Sequence, residues 1–565
     1  MPISTPSTGS SASRDVKLLT YDKPFVYETL PRAHQFAAYK AAYGREYFAL
    51  FMEQGTGKSK IVIDLMTNYF LEGKIDAVML IAPSGVHEQW FDEQLPEHSP
   101  IGYAGYVWEG FPSSNKKLNA LRAFVKNKTK YIKWFFINVE AFSSDGSMAV
   151  FRTYIKRNRC AVIVDEATTI KNTEAHCTIN IAQNLNELEK AGKRIVSIQM
   201  NSLFRMLLTG TMVTNNPFDQ YSYGEFLSPG LWGMNFYGFK AHFGMVHTMK
   251  LWGQSDGKGG VREITNKVMN KEDIAKIKRQ IADGFRLDDI AYKMGTSFSV
   301  VNYLKNHPEC EVPYKNLAEL KEKINTFAYV VRKEDCYDLP PKQKLVVSVR
   351  MSKEQNELYN DLIADHYAEF NDRSLEVTTK LAMITRLAQI TGGFFPSNDG
   401  EPIERIKSNG KIVALKREVE ELDERPLIIC ARFTAEIDWI AEELEAVKYY
   451  GPVPRGEPRR EIIARYKAGE IPILVVQPAI CEYGFNFQIG CNEFFYSNSY
   501  SIDTREQMED RIHRDGQKSD HIVYKDFITK NSVDERIYEV LKDKKDLLAY
   551  MREPSIREFL GGEVE

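Results

Sequence analysis

The stretch FMEQGTGKSKIVIDLM, residues 51–66, sets Gly55, Thr56, Gly57, Lys58 and Ser59 directly before an amphipathic helical pattern. Small residues there let backbone N–H groups approach phosphate oxygens at a helix N-terminus, where the peptide dipoles favour an anion. The lysine can reach β- and γ-phosphates, and the serine hydroxyl can ligate magnesium. A full P-loop pattern asks for glycine where Met52 stands, so the match is partial and a plain helix-capping turn competes with it. A second stretch tips the balance. VIVDEATTIKN, 162–172, is an apolar strand pattern that ends in adjacent carboxylates, Asp165 and Glu166. One can hold magnesium while the other polarises water. Together the two stretches predict ATP hydrolysis, with Gly55, Thr56, Gly57, Lys58, Ser59 and Asp165 on Mg2+ and nucleotide and Glu166 in catalysis.

Other apolar, β-branched runs surround these: AVMLIAP (77–83), KWFFINVE (133–140), FRMLLTGT (204–211), PLIICARF (426–433) and PILVVQPA (472–479). Such runs read as buried parallel strands, and helical patterns such as TAEIDWIAEELEAV (434–447) lie between them. Strand–helix alternation implies an α/β fold with parallel sheets. The strands gather before about 215 and after about 425, so two tandem lobes are expected rather than one large sheet. We read 1–16 as a Ser/Thr/Pro-rich disordered tail and 17–345 as the first lobe, with a helical insertion at about 241–320. The second lobe runs over 346–540, and a C-terminal helical extension over 541–565.

The 565 residues are 43% hydrophobic and 27% charged, with a formal net charge of −3, so any nucleic-acid affinity must come from a local patch of Lys and Arg. The seven cysteines, at 160, 177, 310, 336, 430, 481 and 491, are odd in number and form no CxxC pair. That argues against a disulfide framework or a zinc module and for a reducing, cytoplasmic compartment. No apolar run reaches the roughly 18 residues of a membrane helix.

With the phosphate and carboxylate motifs in place, the chain resembles helicase superfamily 2, and within it the Swi/Snf-related DNA translocases, over most of 30–545. LPRAHQFAAY (30–39) is similar to the adenine-reading segment, which makes Gln35 the implied adenine contact. LIAPSGVHEQWFDE (80–93) resembles motif Ia, and RMLLTGTMVTNNPFDQYSYGEFLSPGLWG (205–233) resembles motif III, whose Thr209, Gly210 and Thr211 would couple the nucleotide to the track. ICEYGFNFQ (480–488) resembles motif V through Gly484 and Asn486, and QMEDRIHRDGQK (507–518) resembles motif VI. Two departures stand out: Thr168 where the family usually has histidine, and a glycine-poor motif V.

The resemblance implies two RecA-like lobes, ATP and Mg2+, and movement along DNA by backbone contacts, duplex favoured, with DNA-bound proteins as displaced targets. The first lobe has no evident cation for charge developing on the γ-phosphoryl group; Arg511 and Arg514 fit that role, with Gln507 supporting the nucleotide or its helix. Placed four and three residues apart, the three would share one helix face. A strand-separating or branch-migrating helicase acting on DNA or RNA would present the same nucleotide site. Compactness points to a bacterial or phage source and hence to bacterial or phage-infected cytoplasm.

The insertion carries EDIAKIKRQIADGFRLDDIAYKMGTSFSVVNYLKNH (272–307), three helical patterns broken at Gly284 and Gly295. It resembles a helix-turn-helix, with Ser297, Ser299, Asn302 and Tyr303 as exposed DNA candidates and Ile290, Ala291, Val300 and Leu304 as its core. A protruding three-helix spacer is the bland alternative, and a DNA-binding regulator with an ATP switch the third functional reading.

Overall fold

The computed structural model describes residues 27–173, 175–182, 198–210, 217–251, 262–310, 312–369, 377–395, 404–422, 426–454, 457–481 and 487–542. The expected tail at 1–16 and nearly all of the extension at 541–565 lie outside these residues. The chain divides into two units, 1–336 and 337–565. The boundary read from the sequence, 345/346, falls inside the strand Lys342–Val349, which the structure keeps whole in the second unit.

The first unit is built on seven parallel strands. In spatial order they are Tyr103–Val107, Ile132–Asn138, Ala77–Ala82, Cys160–Val164, Phe204–Thr209, Tyr47–Met52 and Ala328–Val331. Its inner strands, such as Ala77–Ala82 and Cys160–Val164, are buried along their whole length, which is why they read as unbroken apolar runs. Aromatic residues fill one face: Phe135 meets Phe124, Phe151 and Tyr154 edge-on at 5.1–5.7 Å between centroids.

The second unit repeats the plan with six parallel strands, ordered Lys342–Val349, Ile522–Thr529, Asn492–Phe495, Leu427–Cys430, Ile473–Val476 and Val447–Tyr449. Apolar clusters cover both faces, one around Ile429 and Ile440 and one around Ile428 and Tyr466. Both sheets are thus RecA-like layers as expected. A buried ion pair ties this unit together: Lys411 Nζ lies 2.7 Å from Asp534 Oδ2, the side chains 1% and 9% exposed. Thr391 Oγ1 and the Thr529 N–H also donate to Asp534. Removing one partner of such a pair strands a charge, so Lys411→Ala should destabilise this unit by about 3–5 kcal/mol in urea or thermal unfolding. A loss under about 1 kcal/mol would contradict that reading of the pair.

The insertion is more than helical. An antiparallel ribbon, Val246–Leu251 with Arg262–Val268, precedes the helices Lys271–Ala282, Leu287–Lys293 and Phe298–Asn306. Sequence reading missed the ribbon because neither of its short strands, VHTMKL and REITNKV, contains an unbroken apolar run. His247 pins the ribbon to the helices, its Nε2 3.1 Å from Asp273 Oδ2 and its Nδ1 3.0 Å from the Met294 carbonyl. Left-handed Gly284 and Gly295 make the two breaks. Ile290, Ala291, Val300 and Leu304 are buried as expected, joined by Val301, Ile274 and Ile277 in a separate small core.

Candidate nucleotide site

Motif residues of the first unit follow the C-terminal ends of parallel strands, the edge where open α/β sheets bind ligands. After Met52 the chain turns through Glu53–Gly57 into the helix Lys58–Leu71. Gly57 caps that helix in the left-handed region, φ 87°, and a Cβ there would sit 2.1 Å from Gln35 Nε2. Glycine is therefore required twice over. Thr56 is fully buried; its hydroxyl donates to the Glu53 carbonyl at 2.7 Å. The Thr56 carbonyl accepts from Gln35 Nε2 at 3.2 Å and from His34 Nε2 at 2.9 Å. Gln35 Oε1 accepts from the Arg32 N–H at 2.9 Å, so the amide expected on adenine holds the phosphate loop with its Nε2 and caps the start of its own helix with its Oε1. Lys58 is buried and donates to the Met52 carbonyl at 2.9 Å.

Asp165 and Glu166 follow the strand Cys160–Val164. Asp165 is buried; burial pushes its pKa up, while the Lys58 ammonium and the N–H groups of Trp90 and Glu166 pull it back down. Its Oδ1 accepts from the Glu166 N–H at 2.9 Å and its Oδ2 from Trp90 Nε1 at 2.8 Å. Glu166 stands at φ 48°, ψ 63°, a left-handed conformation worth roughly 1–3 kcal/mol of strain in a residue with a Cβ. Such strain gathers where a side chain must be aimed. Gln54 Nε2 lies 3.5 Å from Glu166 Oε1. A Cβ on Gly210 would meet Gln54 Cγ at 2.9 Å and Lys58 Nζ at 3.8 Å. The structure thus sets Gly210, at the end of the strand Phe204–Thr209, against Gln54 and near Lys58. Gln54 went unmarked because it occupies a variable place in the glycine-rich pattern. Ser59 opens the helix beside Lys58, half-buried. A serine hydroxyl and an aspartate carboxylate are hard oxygen donors that suit magnesium, which would neutralise phosphate charge there.

In the second unit, Gln507 and Arg511 lie on the helix Ile502–Ile512, and Arg511 is buried. Arg514 does not share that helix: His513 leaves it at ψ 78°, and the Arg514 N–H bonds to the Ile512 carbonyl at 3.0 Å. The common face expected for the three residues therefore holds for Gln507 and Arg511 alone. The neighbouring Arg505 anchors the helix, with Nη2 3.0 Å from Asp526 Oδ2, Nε 3.0 Å from Glu509 Oε1 and its guanidinium 3.4 Å from the Phe495 ring centroid. Gln517 is structural: its Nε2 donates to the Gly490 carbonyl at 2.8 Å and its Oε1 accepts from Ser519 N at 3.0 Å. Thr211 and Gly484, with Asn486, lie outside the described residues.

On the insertion, Ser299 is exposed and Ser297 half-buried, their hydroxyls 2.8 Å apart. Tyr303 is not a free surface group: it packs against the small core, its ring 4.3 Å from that of His307. Asn302 is half-buried. The exposed aromatic residues there include Tyr292, 87% exposed, Phe285, 57% exposed, and Phe298, 50% exposed.

A family model described as the SNF2-related domain matches residues 48–392, more than half of the chain. This chain belongs to the SNF2-related family. That family is a branch of the superfamily 2 ATPases, and both sheets have its RecA-like form. Among similar proteins, the DNA excision repair protein ERCC-6-like of Mus musculus is 23% identical over 93% of this chain and 41% of its own length. The ATP-dependent helicase FUN30 of Saccharomyces cerevisiae is 22% identical over 89% of this chain and 44% of its own. The chain thus spans less than half the length of these relatives. A solved Sulfolobus solfataricus SWI2/SNF2 ATPase core in complex with dsDNA is 19% identical, covering 93% of each chain with a TM-score of 0.36. No helix among the described residues is long and apolar enough to cross a membrane.

Proposed function

We propose that this SNF2-related chain hydrolyses ATP to move along duplex DNA. The observation that carries the reading is the convergence on one sheet edge of Lys58, Asp165, strained Glu166 and Gly210, linked by Gln54. Lys58 binds the β- and γ-phosphates, exchanging its Met52 carbonyl for them, and backbone N–H groups of Gly55–Ser59 hold the remaining oxygens. Ser59 and Asp165 hold Mg2+. Glu166 orients and deprotonates the attacking water, and Gln35 keeps the loop in shape, with adenine as its further contact. Arg511 and Arg514 supply positive charge to the transferring phosphoryl group. Gly210, packed on Gln54 and near Lys58, passes the nucleotide state to motif III with Thr209 and Thr211, while Gln507 and Gly484 serve the nucleotide from the second unit. The similarity to a DNA excision repair protein and to an ATP-dependent helicase supports DNA as the track.

Contacts along the phosphate backbone carry no sequence information, so the motor acts on any sequence and displaces whatever protein is bound there. The insertion adds a grip on the duplex through Ser297, Ser299 and Asn302; Tyr303 contributes from within its core rather than from the surface.

The test is the stimulation profile of the ATPase with duplex DNA, single-stranded DNA and RNA. Duplex DNA should stimulate most, by at least about ten-fold over the free enzyme. Stimulation by single strands alone would favour a strand-separating helicase instead.

A further inference from the structure

Trp90 has no place in the reaction as described, yet it touches one of its central carboxylates. Its indole N–H donates to Asp165 Oδ2 at 2.8 Å across 75 residues of chain, and the ring is 1% exposed. The backbone that carries it is unusual: between the helical turns Val86–Gln89 and Leu95–His98 lies a π-helical turn, Trp90–Gln94, which Trp90 begins. The wider turn re-aims side chains, and such turns gather at functional sites. Trp134 backs the indole, ring centroids 6.3 Å apart and planes at 30°, so the N–H has little freedom to point elsewhere.

A buried indole usually finds some acceptor, and a backbone carbonyl would serve. Here the acceptor is a carboxylate whose other oxygen is held by the Glu166 N–H at 2.9 Å. Two donors on two oxygens fix the carboxylate plane and present its remaining lone pairs in one direction. Outer partners of this kind orient metal ligands and tune their affinity. We propose that Trp90 is a positioning residue that sets Asp165 for its divalent cation. The proposal rests on Asp165 being the magnesium ligand.

Trp90→Phe keeps an aromatic ring and removes the N–H, so it is the informative substitution. Binding of a fluorescent ATP analogue to the full chain, with and without Mg2+, separates the contributions. W90F should bind the analogue without metal within about two-fold of wild type, while the Mg2+ concentration giving half of the metal-dependent gain rises about 10- to 100-fold. An unchanged Mg2+ requirement overturns the proposal, as does an equal loss with and without metal, the pattern of a merely structural role. Asp165→Asn is the control for the underlying reading. If D165N keeps the full Mg2+ effect, Asp165 is not the ligand and that reading fails first; if D165N loses it while W90F behaves as wild type, only the role of Trp90 fails. In case W90F does not fold, wild-type protein gives an independent readout. The Trp90 indole 15N–1H resonance should shift when Mg2+ is added to the ADP-bound state, and D165N should abolish that shift. A resonance indifferent to Mg2+ overturns the proposal.

Discussion

Arg511→Ala or Arg514→Ala should lower the rate of ATP hydrolysis by about 10³-fold or more, with nucleotide affinity within a few-fold of wild type. Phosphoryl transfer asks little covalent chemistry of the protein and much electrostatic stabilisation, because charge spreads over the γ-phosphoryl oxygens as the bond to the leaving group lengthens. The first unit supplies a lysine and carboxylates; the guanidinium groups are expected from motif VI. Alanine at 511 leaves the backbone intact, including the carbonyl that accepts from the Phe487 N–H at 3.0 Å, and Arg505 still anchors the helix through Asp526 and Glu509. The loss should therefore appear in single-turnover hydrolysis and not in the melting profile. The two positions need not behave alike, since Arg511 is helical and buried while Arg514 sits in the turn beyond. Two variants with normal hydrolysis would remove the second unit from the chemistry.

Glu166→Gln should slow hydrolysis by about 10²- to 10⁴-fold, the range lost with a positioned general base. The amide is nearly isosteric and can still accept from Gln54, which lies 3.5 Å from Oε1. The strained backbone at φ 48° is unchanged by the substitution. Asp165 keeps both of its donors, Trp90 Nε1 and the Glu166 N–H. Binding of ATP with magnesium should survive, giving a protein that holds ATP without turning it over, as a rapid-quench experiment would reveal. Hydrolysis within a few-fold of wild type would assign the water to another group.

How much of this was legible in the sequence depended on how many faces each element buries. Strands such as Ala77–Ala82, Cys160–Val164 and Leu427–Cys430 are covered on both faces and announce themselves as apolar runs. Lys342–Val349 is an edge strand exposed along most of its length, and Lys342, Gln343 and Lys344 at its start mask the short apolar run that follows, so the expected lobe boundary cut through it. The ribbon of the insertion was hidden for a related reason, since its two short strands, VHTMKL and REITNKV, contain no unbroken apolar run. Within the site, residues fixed by local pattern were readable: glycine, lysine and serine at one helix N-terminus, paired acids at one strand end. Gln54 and Trp90 were not, because their partners lie 112 and 75 residues away and only the sheet order brings them together. The end of the motif VI helix was overrun by two residues, since Ile512-His513-Arg514 contains no proline or glycine to mark the break that His513 makes.

Displacement of the third strand from a DNA triplex measures movement along the duplex with no protein partner. Wild-type protein with ATP and Mg2+ should release the third strand from a blunt duplex carrying no single-stranded end, and Glu166→Gln should not. Release without ATP, release that persists in Glu166→Gln, or none on any duplex that stimulates the ATPase would contradict the account.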